Sequence, residues 1–252
     1  MRAAVVPDAG EGFVVEERPV PEPGPEEALV AVDACGICHS DEFVAQGTFP
    51  GIEYPRVPGH ELVGDVVRVG ADVVRWAAGD RVGAGWHGGH CFHCEACERG
   101  NFLACEDADV TGVTFDGGYA EYATVPQEAL APVPGALDAA DAAPLLCAGI
   151  TTFNALRNAD ADPGDLVAVQ GVGGLGHLGV QYARAAGYET VAVSRSPDKE
   201  QLARDLGADH FVDASEDDPA AALRDLGGAD LILATAPSAA AMESVAGGLG
   251  TD

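Results

Sequence analysis

Apolar positions along the chain follow two patterns, and the change falls near residue 146. Before it, they come in short runs broken by Gly and Pro: LVAVDACGI, LVGDVVRVG, DRVGAG and AEYATVP. Short valine-rich runs bounded by turn residues predict β-strands. Many of them in series predict a compact, barrel-like domain over residues 1–145. After it, LVAVQG, TVAVSR, HFVDA and LILATAP predict four strands. Helical periodicity near 174–186, 198–206 and 218–226 places helices between and after them. That alternation predicts a right-handed parallel βαβ series over residues 146–252. The expected fold class is therefore α/β with a β-rich domain in front. There is no internal repeat or low-complexity tract, and the prolines of RPVPEPGPEE mark an exposed loop.

Composition narrows the function classes. The chain has 252 residues, 47% of them hydrophobic, enough for a substantial core. It has no run of eighteen apolar residues that would predict a membrane-spanning helix. The stretch MRAAVVPDAGEGF lacks the charged head and apolar run of a signal peptide. A cytoplasmic protein with reduced thiols is expected. Asp plus Glu number 41 against 13 Lys plus Arg, for a formal charge of −28. Lys199 is the single lysine. Such a charge repels nucleic acid and anionic membranes, so neither is an expected partner. An acidic, lysine-poor surface suits molar salt, where the Debye length shrinks to about 3 Å. A halophilic source is the expectation.

Four of the seven cysteines crowd into CFHCEACERGNFLAC, at Cys91, Cys94, Cys97 and Cys105. A disulfide pairing is disfavoured between such near neighbours in a reducing compartment. A zinc ribbon for DNA fits the spacing but not the acidity. Four thiolates around one tetrahedral ion form a closed structural site without an open coordination position. It would staple a Gly-rich lobe, residues 88–108, that has little core of its own.

Further metal-type residues are scattered: Cys38 in ACGICHSDEF, His60 and Glu61 in PRVPGHELVG, and Cys147 in PLLCAGITTF. Each alone reads as a small buried hydrophobe or a hydrogen-bonded histidine. Together they offer a Cys2His set with room for water or substrate, the set that alcohol dehydrogenase uses. With GICHSD, VPGHELVG, the four-cysteine lobe, DGGYAEY, LLCAGIT and GVGGLG in this order, the chain resembles the zinc-dependent medium-chain alcohol dehydrogenases over nearly its whole length. The resemblance implies a GroES-like, barrel-type catalytic domain and a doubly wound Rossmann domain. It implies catalytic zinc on Cys38, His60 and Cys147, and structural zinc on the clustered cysteines, two per chain. It further implies that Glu61 is a transient ligand and that Asp41 orients His60.

The cofactor signal follows from the residues themselves. LVAVQGVGGLGHLGVQYARAAG runs from apolar strand through a glycine turn into a helix. Gly171, Gly173 and Gly176 fit G-x-G-x-x-G in that context, with Gly174 inside the turn. NAD-binding folds usually end the second strand with Asp or Glu, which accepts from the ribose 2′-hydroxyl. Here the position holds Ser194, then Arg195 and Ser196. A guanidinium grips a 2′-phosphate that a carboxylate would repel, so NADP(H) is expected over NAD(H). A simple adenine-stacking role for Arg195 is the other reading.

The resemblance also assigns chemistry. Ser40 resembles the group that receives the substrate proton, His39 the basic residue near the coenzyme pyrophosphate, and Thr151 the threonine packing on nicotinamide. Many relatives carry a proton-relaying histidine where this chain has Phe43. Phe49 and Trp86 stand where similar enzymes line the alcohol pocket, which suggests an apolar alcohol or aldehyde.

A dinucleotide-binding sheet of this order has six strands, but the chain ends at SVAGGLGTD after the fourth strand and its helix. A C-terminally truncated chain is the expectation, with LILATAP as an apolar edge. The resemblance also implies homo-oligomers, with the region that forms the relatives' dimers expected to be missing here. Two functional classes stay open: an active NADP-dependent alcohol dehydrogenase, or a non-catalytic zinc- or nucleotide-binding remnant. Polyol and aromatic-alcohol dehydrogenases are variants of the first.

Overall fold

Two sheets of opposite kind organise the chain, one antiparallel and one parallel. The computed structural model describes residues 1–251, and the chain divides into two compact units, Met1–Cys147 and Ala148–Asp252.

The first unit contains β1 (Arg2–Val5), β2 (Val14–Glu17), β3 (Glu27–Cys35), α1 (His39–Gln46), β4 (Leu62–Val69), β5 (Arg81–Ala84), β6 (His87–Gly89), α2 (Glu95–Glu98), β7 (Asp109–Val110), β8 (Tyr122–Pro126), β9 (Leu130–Pro132) and α3 (Ala139–Ala142). Its main sheet has five antiparallel strands in the order β8-β3-β4-β5-β9. β1 pairs with β2, and β6 with β7, as two small ribbons. Along β3 and β4 the apolar residues of the inner face meet: Val30 lies opposite both Val66 and Ala123. With Leu62, Val82 and Val125 they form the core of the sheet. Burial of each of the Val and Leu side chains among them contributes about 1.5–3 kcal/mol.

The register of this sheet positions chemistry. Cys35 pairs with Leu62, which sets Gly36–Cys38 beside His60–Glu61, and the Gly36 amide donates to the Glu61 carbonyl at 3.0 Å. Two register shifts interrupt the β3–β4 ladder, the kind of irregularity that re-aims strand ends near functional sites. A 3₁₀ turn, Ala143–Leu146, packs with Val63 and Val133 in a small apolar cluster. That packing delivers Cys147 to the same end of the sheet.

The second unit contains α4 (Ala148–Arg157), β10 (Leu166–Gln170), α5 (Gly176–Ala186), β11 (Glu189–Ser194), α6 (Glu200–Asp205), β12 (His210–Asp213), α7 (Pro219–Asp225), β13 (Leu231–Ala234) and α8 (Ala239–Ala246). Its four strands are parallel in the order β12-β11-β10-β13. Every residue of β10 is buried, with apolar clusters on both faces, as a central parallel strand requires. β13 pairs on one side only among the described residues, so the apolar edge expected of LILATAP is present.

Boundaries differ from the sequence pattern for local reasons. The helix expected from 174 begins at Gly176, because the glycine turn occupies the preceding residues. The helix expected over 198–206 opens as a 3₁₀ turn, Pro197–Lys199, before α6. α7 starts at Pro219, capped by the Asp218 carboxylate, which accepts from the amides of Ala220 and Ala221, a favoured start arrangement. The β1–β2 ribbon, α1 and α4 lay outside the sequence expectations. β2 is wholly exposed, and α1 buries only Asp41, Val44 and Ala45, so neither writes a strong periodicity. Among the described residues no single helix is long and apolar enough to cross a membrane.

Candidate metal and cofactor sites

The four clustered cysteines converge. Ligand atoms of Cys91, Cys94, Cys97 and Cys105 all lie within 4.8 Å of one another, and the Cys91 and Cys97 sulfurs stand 4.0 Å apart. Two thiolates on one tetrahedral zinc, each bonded at about 2.3 Å, sit about 3.8 Å apart. The lobe's apolar cluster consists of these cysteines plus Ala96 and Ala108. The sulfurs thus make up most of the lobe's buried cluster, beside a partly exposed stack of His90 with Phe92 and Phe102. Local hydrogen bonds shape the knuckle: the Cys94 amide donates to the Cys91 sulfur at 3.4 Å, and the Cys91 amide to the Cys105 sulfur at 3.3 Å.

The dispersed residues converge as well. Ligand atoms of Cys38, His60, Glu61 and Cys147 lie within 4.8 Å of one another, and the Cys38 and Cys147 sulfurs are 4.0 Å apart. His60 is 1% exposed, and its Nε2 is buried without a hydrogen-bond partner. A buried, unpaired imidazole nitrogen is costly unless something binds it. Nδ1 of the same ring contacts the Asp41 carboxylate at 3.2 Å, which fixes Nε2 as the acceptor nitrogen. Donor types, sulfur spacing and the orphaned nitrogen all fit zinc.

The electrostatics agree with that fit. The neighbouring Cys147 thiol, then the His60 ring, pull the Cys38 thiol down to about 3. The contact with Cys38, then burial, pushes Cys147 upward, so without a cation the pair carries one thiolate. Burial disfavours charge on His60, but Asp41 and Cys38 outweigh it and raise the ring to about 9. Burial and the Cys38 charge push Glu61 up to about 7. Several groups thus compete for protons where a divalent cation would settle all of them.

Asp41 stands on α1 and is 3% exposed. Burial opposes its charge, yet hydrogen bonds from His60, Tyr119 and the Cys38 amide leave it below the usual carboxylate range. Ser40 lies on the first turn of α1, and its hydroxyl contacts the Cys38 sulfur. His39 is exposed and pairs with Glu42 at 3.3 Å. An unbroken aromatic series runs from there to the metal-type histidine. His39 meets Phe43 at 4.8 Å, Phe43 meets Phe49 at 6.0 Å, Phe49 meets Trp86 at 5.5 Å, and Trp86 meets His60 edge-on at 5.0 Å. Trp86 thus packs against His60, and Phe49 against Trp86.

In the second unit a cavity of 430 Å³ is lined by Gly171, Gly173, Ser194, Arg195, Ser196 and Lys199, among others. Gly171 turns the chain with φ of +93°, and a Cβ on Gly176 would collide with the Gly171 carbonyl. Sterics within the protein thus account for both. Around Gly173 a Cβ would meet nothing within 4 Å; that face is open for a ligand to approach the backbone, as is the face of Gly174. Ser194 is buried and accepts from the Ser196 amide at 3.2 Å. Arg195 is exposed and has no ion pair among the described residues. Thr151 is an exposed residue of α4, while its neighbour Thr152 is buried and donates to the Ala148 carbonyl.

Two residues here escaped the sequence reading. Lys199 donates to the Val172 carbonyl of the glycine turn at 2.7 Å; its being the single lysine was the signal. Tyr119 donates to Asp41 at 2.7 Å; its signal was the motif DGGYAEY, matched without a role for its tyrosine.

A GroES-like unit, a parallel dinucleotide-type unit and two clusters of zinc-type donors define a zinc-binding dehydrogenase. The comparisons agree. Residues 24–135 match the family described as "Alcohol dehydrogenase GroES-like domain", and residues 174–250 match "Zinc-binding dehydrogenase". Alcohol dehydrogenase notN of Aspergillus sp. (strain MF297-2) is 47% identical over 249 residues, 99% of this chain and 73% of that protein. An NAD-dependent alcohol dehydrogenase structure superposes with a TM-score of 0.92 at 32% identity, covering 99% of this chain and 75% of the other. The CAD from Helicobacter pylori complexed with NADP(H) gives a TM-score of 0.83 at 29% identity, covering 94% and 69%. The chain belongs to the zinc-dependent medium-chain alcohol dehydrogenase family and is an oxidoreductase. It spans about three-quarters of the length of these relatives.

Proposed function

We propose that the chain is an alcohol dehydrogenase that interconverts an apolar alcohol and its aldehyde with NADP(H), holding one catalytic and one structural zinc. The observation carrying this reading is the convergence of Cys38, His60, Glu61 and Cys147 within 4.8 Å, with the His60 Nε2 buried and unpaired. Zinc held by Cys38, His60 and Cys147 would supply Lewis acidity to the alcohol oxygen. The closed cysteine lobe would hold its zinc for structure alone.

The protein's own groups do the rest. Ser40, against the Cys38 sulfur, accepts the substrate proton. Phe43 has no group to pass it on, so the proton would leave by a route other than residue 43, the cofactor's ribose hydroxyl or water. Phe49 and Trp86 exclude water from the approach to His60 and favour an apolar side chain. Glu61, buried beside the ligands, is a reserve donor during exchange. Arg195, with Ser194 and Ser196, would hold the 2′-phosphate, a reading supported by the lack of an ion pair on Arg195 among the described residues. His39 would serve the pyrophosphate, and Thr151 the nicotinamide, of a bound cofactor. The acidic surface suits a cytoplasm rich in salt.

The test is NADPH oxidation by the full chain with an aldehyde panel in high salt, alongside zinc content. Two zinc ions per chain and turnover faster with NADPH than with NADH are expected. A single zinc, or no turnover with any aldehyde, would overturn the reading.

A further inference from the structure

Asp41 receives four hydrogen bonds, and only one comes from the imidazole it orients. Its Oδ1 accepts from the Gly59 amide and His60 Nδ1, each at 3.2 Å. Its Oδ2 accepts from the Cys38 amide at 2.9 Å and the Tyr119 hydroxyl at 2.7 Å. A carboxylate has about four lone-pair sites, so Tyr119 completes the set. We propose that Tyr119 is a positioning residue of the metal site: its hydroxyl locks the Asp41 carboxylate at the angle that aims His60 Nε2 at the Cys38 and Cys147 sulfurs. This rests on reading those three residues as the catalytic zinc ligands.

The surroundings hold Tyr119 for that task. Residues 117–119 are laced to 57–59 by backbone bonds: Gly117 to Val57 at 2.7 Å, Gly118 to Gly59 at 2.7 Å, and Tyr119 to Pro58 at 3.0 Å. Gly59 has φ of +100°, and a Cβ there would strike the Tyr119 ring 2.6 Å away. The segment carrying His60 is therefore shaped around that ring. The hydroxyl has one proton and two acceptors in reach, Asp41 at 2.7 Å and the Gly36 carbonyl at 3.3 Å. The shorter, charge-assisted bond takes it. Three of the four donors to Asp41 are fixed by the backbone or belong to the ligand; the phenol alone is removable without altering either.

Tyr119→Phe in the full chain keeps the ring and deletes the bond. Zinc competition with a chromophoric chelator reads both metal sites of one molecule, the cysteine lobe serving as internal control. The expected result is metal held roughly 10–100-fold more weakly at the Cys38 set, the range for losing an outer partner of a ligand, with the lobe unchanged. After cobalt substitution, the visible bands of the Cys2His set shift. In an Asp41→Asn background, the same tyrosine change has less than about a twofold further effect, because the coupling is already gone. Unchanged chelator competition and cobalt bands, equal weakening of both sites, or full additivity with Asp41→Asn would each overturn the assignment. If the unaltered chain holds only the lobe metal, the site reading itself fails, and this proposal fails with it.

Discussion

The molecule carries two cysteine-rich sites that reach similar sulfur spacing by opposite routes. In the lobe, all four donors come from the fifteen residues 91–105, and the sulfurs themselves are the packed core. In the other, Cys38 and Cys147 are 109 residues apart. They meet only because β3 pairs with β4 and a 3₁₀ turn packs beside β4 and β5. On the proposed reading, the local site depends on a metal for its fold. The dispersed site depends on the fold for its geometry, with Asp41, Gly59 and Tyr119 as its props. Metal removal should therefore unfold one and merely silence the other.

The largest effect should come at the dispersed site. Cys38→Ser removes a ligand whose metal supplies several kcal/mol to the transition state, so a roughly thousandfold or greater loss of kcat/KM is expected. Zinc content should fall from two to one per chain while the thermal midpoint barely moves. A midpoint that drops as far as the activity would erase the contrast between the sites.

Cys97→Ser should do the reverse. The lobe's buried cluster consists of its cysteines and two alanines, and structural zinc carries folding free energy directly. Trypsin should then cut after Arg99, an exposed residue closing α2, at least about tenfold faster than in the parent chain. Cleavage mapped by mass spectrometry checks this, and resistance at Arg99 would mean the lobe folds without its metal.

What the sequence made legible divides along the same line. The lobe was readable because its spacing is local. So was β10 with its glycine turn, where Gly171 and Gly176 are demanded by backbone sterics that only glycine meets. The dispersed ligands were placed through a resemblance; periodicity and spacing could not join position 38 to 147. The props were partly invisible. Asp41 came with the resemblance, but Tyr119 bonds across 78 residues, and nothing in a local window marks such a contact. α1 was missed because it buries a charged residue, Asp41, in place of an apolar stripe. Tertiary hydrogen bonding, not periodicity, holds that helix in place.

A third effect tests whether the second unit reads its cofactor as locally as the lobe holds its metal. Arg195→Ala should lower kcat/KM for NADPH by roughly 10–100-fold, the value of a charge-assisted contact of about 1.5–3 kcal/mol. NADH should change by less than about threefold. Parallel losses with both cofactors would assign Arg195 to stacking on adenine instead.

The smallest effect separates the two sites by their surroundings. Glu95, Glu98, Glu106 and Asp107 are all exposed around the lobe, whereas Asp41 and Glu61 beside the dispersed set are each 3% exposed. Exposed carboxylates draw a divalent cation toward the lobe, but salt screens them, shortening the Debye length from about 10 Å at 0.1 M to about 3 Å at 1 M. Buried charges keep most of their influence over the same change. Raising KCl across that range should weaken zinc retention at the lobe a few-fold more than at the dispersed set. Chelator competition on one sample gives that ratio directly, because any effect of salt on the chelator acts on both sites alike and cancels. Equal salt slopes would mean that the lobe's metal feels only its four sulfurs, and that the acidic surface around it serves solubility rather than binding.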